Sequence, residues 1–280
     1  SGAGEERVPE LPEVETVRRA LALHVTGSRI TTARVRRVTM RRPLDPALLE
    51  PRLAGRRIAP PRRRGKYLLM DLEPSATLLL HLGMSGRLLL SEASEAAPAH
   101  THLDLVLDDG RHLRLVDPRR FGFVQWLDPG EEELHPSLAA LGVEPLDSAL
   151  PGRLVGLLAG RRAPVKNLIM DQRLVAGVGN IYATEALWRA GIRPTRPGGS
   201  ISARRVVRLA EALREVLVEA VEAGGTTLRD FASPAGDRGY FAVRLAAYGR
   251  RGQPCPRCGR RLRVAPVGGR STVWCTRCQR

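Results

Sequence analysis

A chain of 280 residues with 43% hydrophobic and 26% charged side chains is long enough for one large or two ordinary domains, and too apolar to be disordered. Its formal charge of +16 calls for a polyanionic partner, and nucleic acid ranks ahead of an acidic membrane surface because no basic amphipathic helix stands out. No apolar run approaches the roughly 18 residues of a membrane span. Glu5, Glu6 and Arg7 stand where a signal peptide needs an apolar core. All four cysteines fall within the last 26 residues, which argues against a secreted disulfide scaffold and for a reducing cytoplasm.

In chain order, residues 1–8 read as an extension or tag remnant. Val14, Val17 and Leu21 recur at i, i+3 and i+7 and predict an amphipathic helix. Pro12 suits its first turn, Glu13 and Glu15 lie at the positive end of its dipole, and Gly27 ends it. From Ile30 to about Asp128 the signals are short strands: Leu103, Leu105 and Leu107 alternate, Asp109-Gly110 makes a hairpin turn, and Leu113 and Leu115 alternate again. Residues 9–134 therefore predict an antiparallel β-sandwich with the first helix packed on it. Residues 135–154, rich in Pro, Gly and small side chains, read as a linker with a short helix. Residues 155–243 predict a helical domain, clearest at Ser202–Ala223, where Val206, Leu209, Leu213 and Leu217 form one stripe before Gly224-Gly225. Residues 226–243 read as a polar loop, and 244–280 as a cysteine finger. The fold class expected is α+β. No repeat appears, and a monomer is expected.

The cysteines give the strongest local signal. Cys255-x-x-Cys258, sixteen residues, then Cys275-x-x-Cys278 is the spacing of two knuckles that wrap one tetrahedral zinc ion. The segment between them has strand-like ends around Gly268-Gly269, so the metal would staple a β-hairpin. Seven arginines, among them Arg257, Arg263 and Arg270, suit that finger to phosphate contact.

The other chemical signal lies at Pro9-Glu10. Were Pro9 the first residue, its nitrogen would be a free secondary amine. An α-amino group has a reference pKa of ~7.7–8.0 against ~10.4 for lysine. It is therefore unprotonated far more often at neutral pH, which suits it to attack carbon and form an iminium. Glu10 could move the accompanying protons. With residues 1–8 attached, that nitrogen is an inert amide. Val8 is what a GUG start codon yields when translated as an internal codon. Further along, Gly177 and Gly179 allow close backbone approach to a ligand, and Asn180 starts a helix whose N–H groups suit phosphate.

Six motifs stand in order: P-E-L-P-E-V-E-T (9–16), H-L-G-M-S-G (81–86), D-P-R-R-F-G (117–122), D-Q-R-L-V-A-G-V-G-N-I-Y-A-T-E (171–185), T-T-L-R-D-F…G-Y-F (226–241) and the cysteine finger. Together they resemble the bacterial formamidopyrimidine-DNA glycosylases, relatives of endonuclease VIII, from Pro9 to Gln279. The resemblance implies a bifunctional glycosylase and abasic-site lyase acting on double-stranded DNA that contains an oxidised purine. It implies Pro9 as nucleophile and Glu10 as proton donor, with strand cleavage by β,δ-elimination. Lys66 would lie against the phosphate beside the lesion, and Arg270 would grip phosphate and serve δ-elimination. Glu13 would position the deoxyribose. Met84, Arg119 and Phe121 would fill the space left by the flipped base. His81, Asn180 and Tyr248 match phosphate contacts, and His100 and Arg161 stand at about the places of two further DNA contacts. Asn180 belongs to the family's helix–two-turns–helix, in which Thr184 replaces the more usual Ser or Asp. The 226–241 segment matches the loop over a flipped oxidised purine, against an endonuclease VIII-like preference for oxidised pyrimidines. The alternatives from other classes are a non-catalytic binder of damaged or abasic DNA, if residues 1–8 stay attached, and a zinc-ribbon transcription or RNA-binding protein.

Overall fold

The computed structural model describes residues 9–224 and 245–280. Its first helix, α1 (Leu11–His24), begins where Glu10 and Glu13 form a reciprocal capping box, the Glu13 carboxylate accepting the Glu10 N–H at 2.9 Å. Pro12 sits in the first turn, and Leu11, Val14, Val17 and Leu21 are buried, as the periodicity requires. Strand β1 (Ile30–Val35) follows, then α2 (Pro46–Leu53), whose Asp45 side chain accepts the Ala47 and Leu48 N–H groups. Next come β2 (Arg57–Ile58), β3 (Arg62–Arg64), β4 (Tyr67–Glu73), β5 (Ala76–His81), β6 (Arg87–Ser91), β7 (Thr101–Leu107), β8 (His112–Val116) and β9 (Phe123–Leu127).

These strands form two antiparallel sheets. One has the order β1-β7-β8-β6; the other runs β2-β4-β5-β9, with β3 paired to β4. Leu103, Leu105, Leu113 and Leu115 of the first sheet share one core with Leu68, Met70, Leu78 and Leu80 of the second and with Val14, Val17 and Leu21 of α1. Burial of each such side chain is worth roughly 1.5–3 kcal/mol, and the shared core makes this a sandwich with the leading helix packed on it. The β7–β8 hairpin turns at Gly110, whose φ of +87° favours glycine. The opposite face of β7 departs from the simple polar-out pattern. Asp104 there is fully buried, 2.7 Å from Arg36 and 2.8 Å from His112, with Arg114 alongside.

The chain then forms α3 (Glu131–Leu134), α4 (Pro136–Ala139), α5 (Leu150–Leu158), α6 (Val165–Met170), α7 (Asn180–Ala190) and α8 (Ala203–Gly224), and ends in the hairpin β10 (Arg263–Val267) and β11 (Arg270–Trp274). The structure divides into two compact units, the first running through Ala139, the second containing Ala140–Ala223 and the C-terminal finger. Two details differ from the sequence reading. The first unit extends past residue 134 through α4, because Leu138 is buried. Helix α5 begins at Leu150, inside the stretch read as a linker with a short helix, and runs past its end at residue 154: Pro151 lies in its first turn, and Leu150, Leu154 and Leu158 make a buried stripe despite Gly152 and Gly156. In α8, Val206, Leu209, Leu213 and Leu217 are all buried. The loop expected at 226–243 lies outside the described residues. Among those described, no helix is long and apolar enough to cross a membrane.

Candidate DNA-processing site

The mouth of α1 holds the first group of candidates. Glu10 is only 2% exposed, and its side chain accepts the Glu13 backbone N–H in the capping box, so the carboxyl beside Pro9 sits in a defined place. One turn on, Glu15 does more than answer the helix dipole. It receives Arg18 at 2.8 Å, Arg19 at 3.2 Å and the nearly buried Arg63 at 3.0 Å. Arg63 also donates to the Gly65 carbonyl at 2.9 Å. Glu15 and Arg63 thus tie α1 to the turn that carries Lys66. Burial would raise the Glu15 carboxyl, but hydrogen bonds from Arg18 and Arg63 and their charges hold it below its usual range.

Lys66 precedes β4, whose first residue Tyr67 pairs with His81 across the sheet. Tyr67, His81 and Phe123 form an aromatic layer, His81 stacked on Phe123 at 5.8 Å, with the Arg42 guanidinium 4.4 Å from the Phe123 ring centre. Burial pushes His81 down to about 4, and the charges of Lys66 and Arg41 add to that. The Gly83 N–H donates to Nδ1 at 3.1 Å, so the neutral ring carries its proton on Nε2. A neutral donor beside a lysine is suited to a phosphate oxygen.

Met84 lies in the β5–β6 turn, and Arg119 and Phe121 in the β8–β9 loop. The two loops meet backbone to backbone: a Cβ on Gly83 would come within 2.4 Å of Gly122 N, and one on Gly122 within 2.7 Å of His81 O. The Arg119 guanidinium lies 5.0 Å from the Phe121 ring centre, and Phe121 is 44% exposed, unusual for so large an apolar ring. His100 and Arg120 are the non-glycine residues with positive φ among those described, and both line a cavity of about 430 Å³ with Arg36, Arg37 and His102. Such backbone concentrates at binding sites.

In the second unit, Asn180 opens α7 and donates to the Ser271 carbonyl at 3.1 Å. Beneath it lies Lys166, completely buried, whose ammonium donates at 2.5 Å to both Asn180 Oδ1 and Thr272 Oγ1. Lys166 thus clamps the helix–two-turns–helix to the hairpin strand that begins at Arg270. The sequence reading missed it; a lysine inside the apolar run V-K-N-L-I-M was the available signal. Glu185, also nearly buried, was missed as well. Its carboxylate accepts the N–H groups of Ala246, Ala247 and Tyr248 at 2.8, 2.8 and 2.7 Å, so one side chain sets the backbone that presents Tyr248. The Thr184 hydroxyl is buried without a hydrogen-bond partner among the described residues. Arg161 is exposed, its guanidinium turned back to the Leu157 carbonyl.

The finger closes as its spacing predicts. The sulfur atoms of Cys255, Cys258, Cys275 and Cys278 lie within 4.8 Å of one another. Gly268 and Gly269 turn the hairpin with φ of +59° and +74°. Four thiolates this close repel one another and need a cation among them. The donor set, four sulfurs and no oxygen, fits zinc. The Gln279 side chain holds the second knuckle in place, accepting the Cys275 N–H at 2.8 Å and donating to the Ile192 carbonyl at 3.0 Å.

These arrangements match known proteins along nearly the whole chain. The family model for the formamidopyrimidine-DNA glycosylase N-terminal domain matches residues 8–124, that for its H2TH domain residues 141–232, and a zinc finger shared with isoleucyl-tRNA synthetase residues 252–280. The formamidopyrimidine-DNA glycosylases of Stenotrophomonas maltophilia and Methylococcus capsulatus are each 52% identical over 274 residues, spanning 98% of this chain and all of theirs. The crystal structure of the Thermus thermophilus protein is similar at 46% identity and a TM-score of 0.80, over 97% of this chain and 98% of that one. A Lactococcus lactis protein bound to DNA containing an oxidised pyrimidine is similar at 29% identity and a TM-score of 0.85, over 97% and 100%. The chain belongs to the formamidopyrimidine-DNA glycosylase family.

Proposed function

We propose that this enzyme excises oxidised purines from duplex DNA and cleaves the strand, with Pro9 as the nucleophile of a chain that begins there. The observation that carries the reading is a buried, fixed Glu10 carboxyl next to Pro9, in a family match that starts at residue 8. The Pro9 nitrogen attacks C1′ of the flipped nucleotide, and the bond from C1′ to the base breaks as the base leaves with a proton. Glu10 then protonates the ring oxygen as the C1′–O4′ bond opens, leaving an iminium. Loss of a C2′ proton expels the 3′ phosphate, loss of a second sugar proton expels the 5′ phosphate, and water returns the free amine.

Lys66, His81, Asn180, Tyr248 and Arg270 hold phosphates, and Glu13 positions the sugar by way of Glu10. Met84, Arg119 and Phe121 occupy the gap in the stack, offsetting part of the few kcal/mol that extrusion costs. His100 and Arg161 contact the flanking DNA. Cys255, Cys258, Cys275 and Cys278 hold one zinc ion, which supplies structure and no chemistry. The enzyme acts as a monomer in the cytoplasm, on the nucleoid. The test is excision of 8-oxoguanine by a chain beginning at Pro9, with Glu10→Gln as its partner. Excision lost in Glu10→Gln supports the assignment; undiminished excision overturns it. The Lactococcus lactis complex makes an oxidised-pyrimidine duplex the informative second substrate.

A further inference from the structure

Met84 and the pair Arg119 and Phe121 come from different loops, yet must enter the DNA stack as one object. Asp117 lies between the loops and is completely buried. One of its carboxylate oxygens accepts the Ser85 hydroxyl at 2.5 Å; the other accepts the Gly122 N–H at 2.8 Å. The Ser85 oxygen in turn accepts the Arg119 N–H at 3.1 Å. Behind this knot, His102 Nε2 lies 3.0 Å from the Asp117 carbonyl and Nδ1 lies 3.2 Å from the Arg37 carbonyl, pinning the loop to β7. Ser85 is therefore the neighbour of one wedge residue and, through its oxygen, the hydrogen-bond partner of another.

We propose that Ser85 and Asp117 are positioning residues that lock the two loops into a single preformed wedge for base extrusion. This rests on the glycosylase reading. A wedge offsets the loss of base stacking only if its own ordering has been done beforehand. Without the latch, each loop must be ordered while the base leaves, and extrusion slows. A DNA that already lacks the base has no base stacking to give up, so late ordering of the wedge slows its cleavage far less.

The experiment compares the chain beginning at Pro9 with its Ser85→Ala and Asp117→Asn variants on two duplexes, one with 8-oxoguanine and one with a preformed abasic site. Loss of the latch hydrogen bonds is expected to lower kcat for 8-oxoguanine excision about tenfold. Abasic-site cleavage should stay within about twofold. Ser85→Thr, which keeps the hydroxyl, should restore excision. Stopped-flow fluorescence of 2-aminopurine beside the lesion should show slower extrusion in Ser85→Ala. Equal loss on both duplexes, or no loss on either, overturns the latch. Failure of the unaltered chain to excise 8-oxoguanine counts against the glycosylase reading instead, and the latch is then judged by the 2-aminopurine rate alone.

Discussion

Replacing Glu185 by Gln perturbs one carboxylate and three backbone donors. Glu185 Oε1 accepts Ala247 and Tyr248, and Oε2 accepts Ala246. Glutamine keeps one oxygen. Its amide then either faces the Ala246 N–H, donor against donor, or flips and faces the other two. A hydrogen bond to a charged group is worth about 1.5–3 kcal/mol and a neutral one about 0.5–1.5. One bond lost and two weakened sum to about 4 kcal/mol, and partial exposure of Ala246 and Tyr248 reduces this to about 3 kcal/mol. At 1.4 kcal/mol per tenfold, the local opening equilibrium shifts about 150-fold. Amide hydrogen exchange at 246–248 should accelerate by that order while the core of α8 keeps its protection. Affinity for lesion DNA should fall about tenfold as the proposed Tyr248 phosphate contact loosens. Exchange within about threefold of the unaltered protein, with unchanged affinity, would refute the account of Glu185 as the anchor of this segment.

Lys166→Met keeps the length of the side chain but removes both donors from Asn180 and Thr272. DNA affinity measured by titration should fall at least tenfold, about 1.4 kcal/mol, and an unchanged affinity would mean the clamp does not set the phosphate site. Stripping zinc with a chelator should loosen the hairpin where Leu262 and Val273 pack against the two buried cysteines; full amide protection in residues 263–274 after chelation would contradict this. Glu15 titrates below its ordinary value in the folded chain, so its ion pairs stabilise above that ordinary value, near 4.3, and the benefit disappears as pH falls through the lower folded value. The gap in melting temperature between the unaltered protein and Glu15→Gln should therefore be wide at pH 7 and narrow progressively as pH falls below the ordinary carboxylate range; a constant gap would assign the effect to packing.

Much of this architecture is periodic, and periodicity is written locally. The stripe of α1, the alternation of β7 and β8 about Asp109-Gly110, the α8 stripe and the cysteine spacing each follow from neighbours a few residues apart. In the Gly-Pro-rich stretch, read as a linker with a short helix, propensity gave no sign of where α5 begins; packing of Leu150, Leu154 and Leu158 stabilises it. The polar pairings left no such trace. Glu15 meets Arg63 across 48 residues, Lys166 meets Thr272 across 106, and Glu185 meets Tyr248 across 63. Glu15, Lys166 and Glu185 each look like an ordinary surface charge in sequence. Only the fold reveals that the charge is buried and therefore paired. The individual motifs were legible; the side chains that hold them in place were not.

Borohydride trapping on duplex DNA containing 8-oxoguanine, with the intact mass of each protein measured alongside, decides whether Pro9 is the attacking group. Reduction converts the iminium into a stable amine and leaves protein covalently joined to DNA. An adduct through Pro9 is expected when the chain begins there, and none from a chain that mass spectrometry shows still carries residues 1–8. Trapping of equal extent in that longer chain, or no adduct from the shorter one, would contradict this.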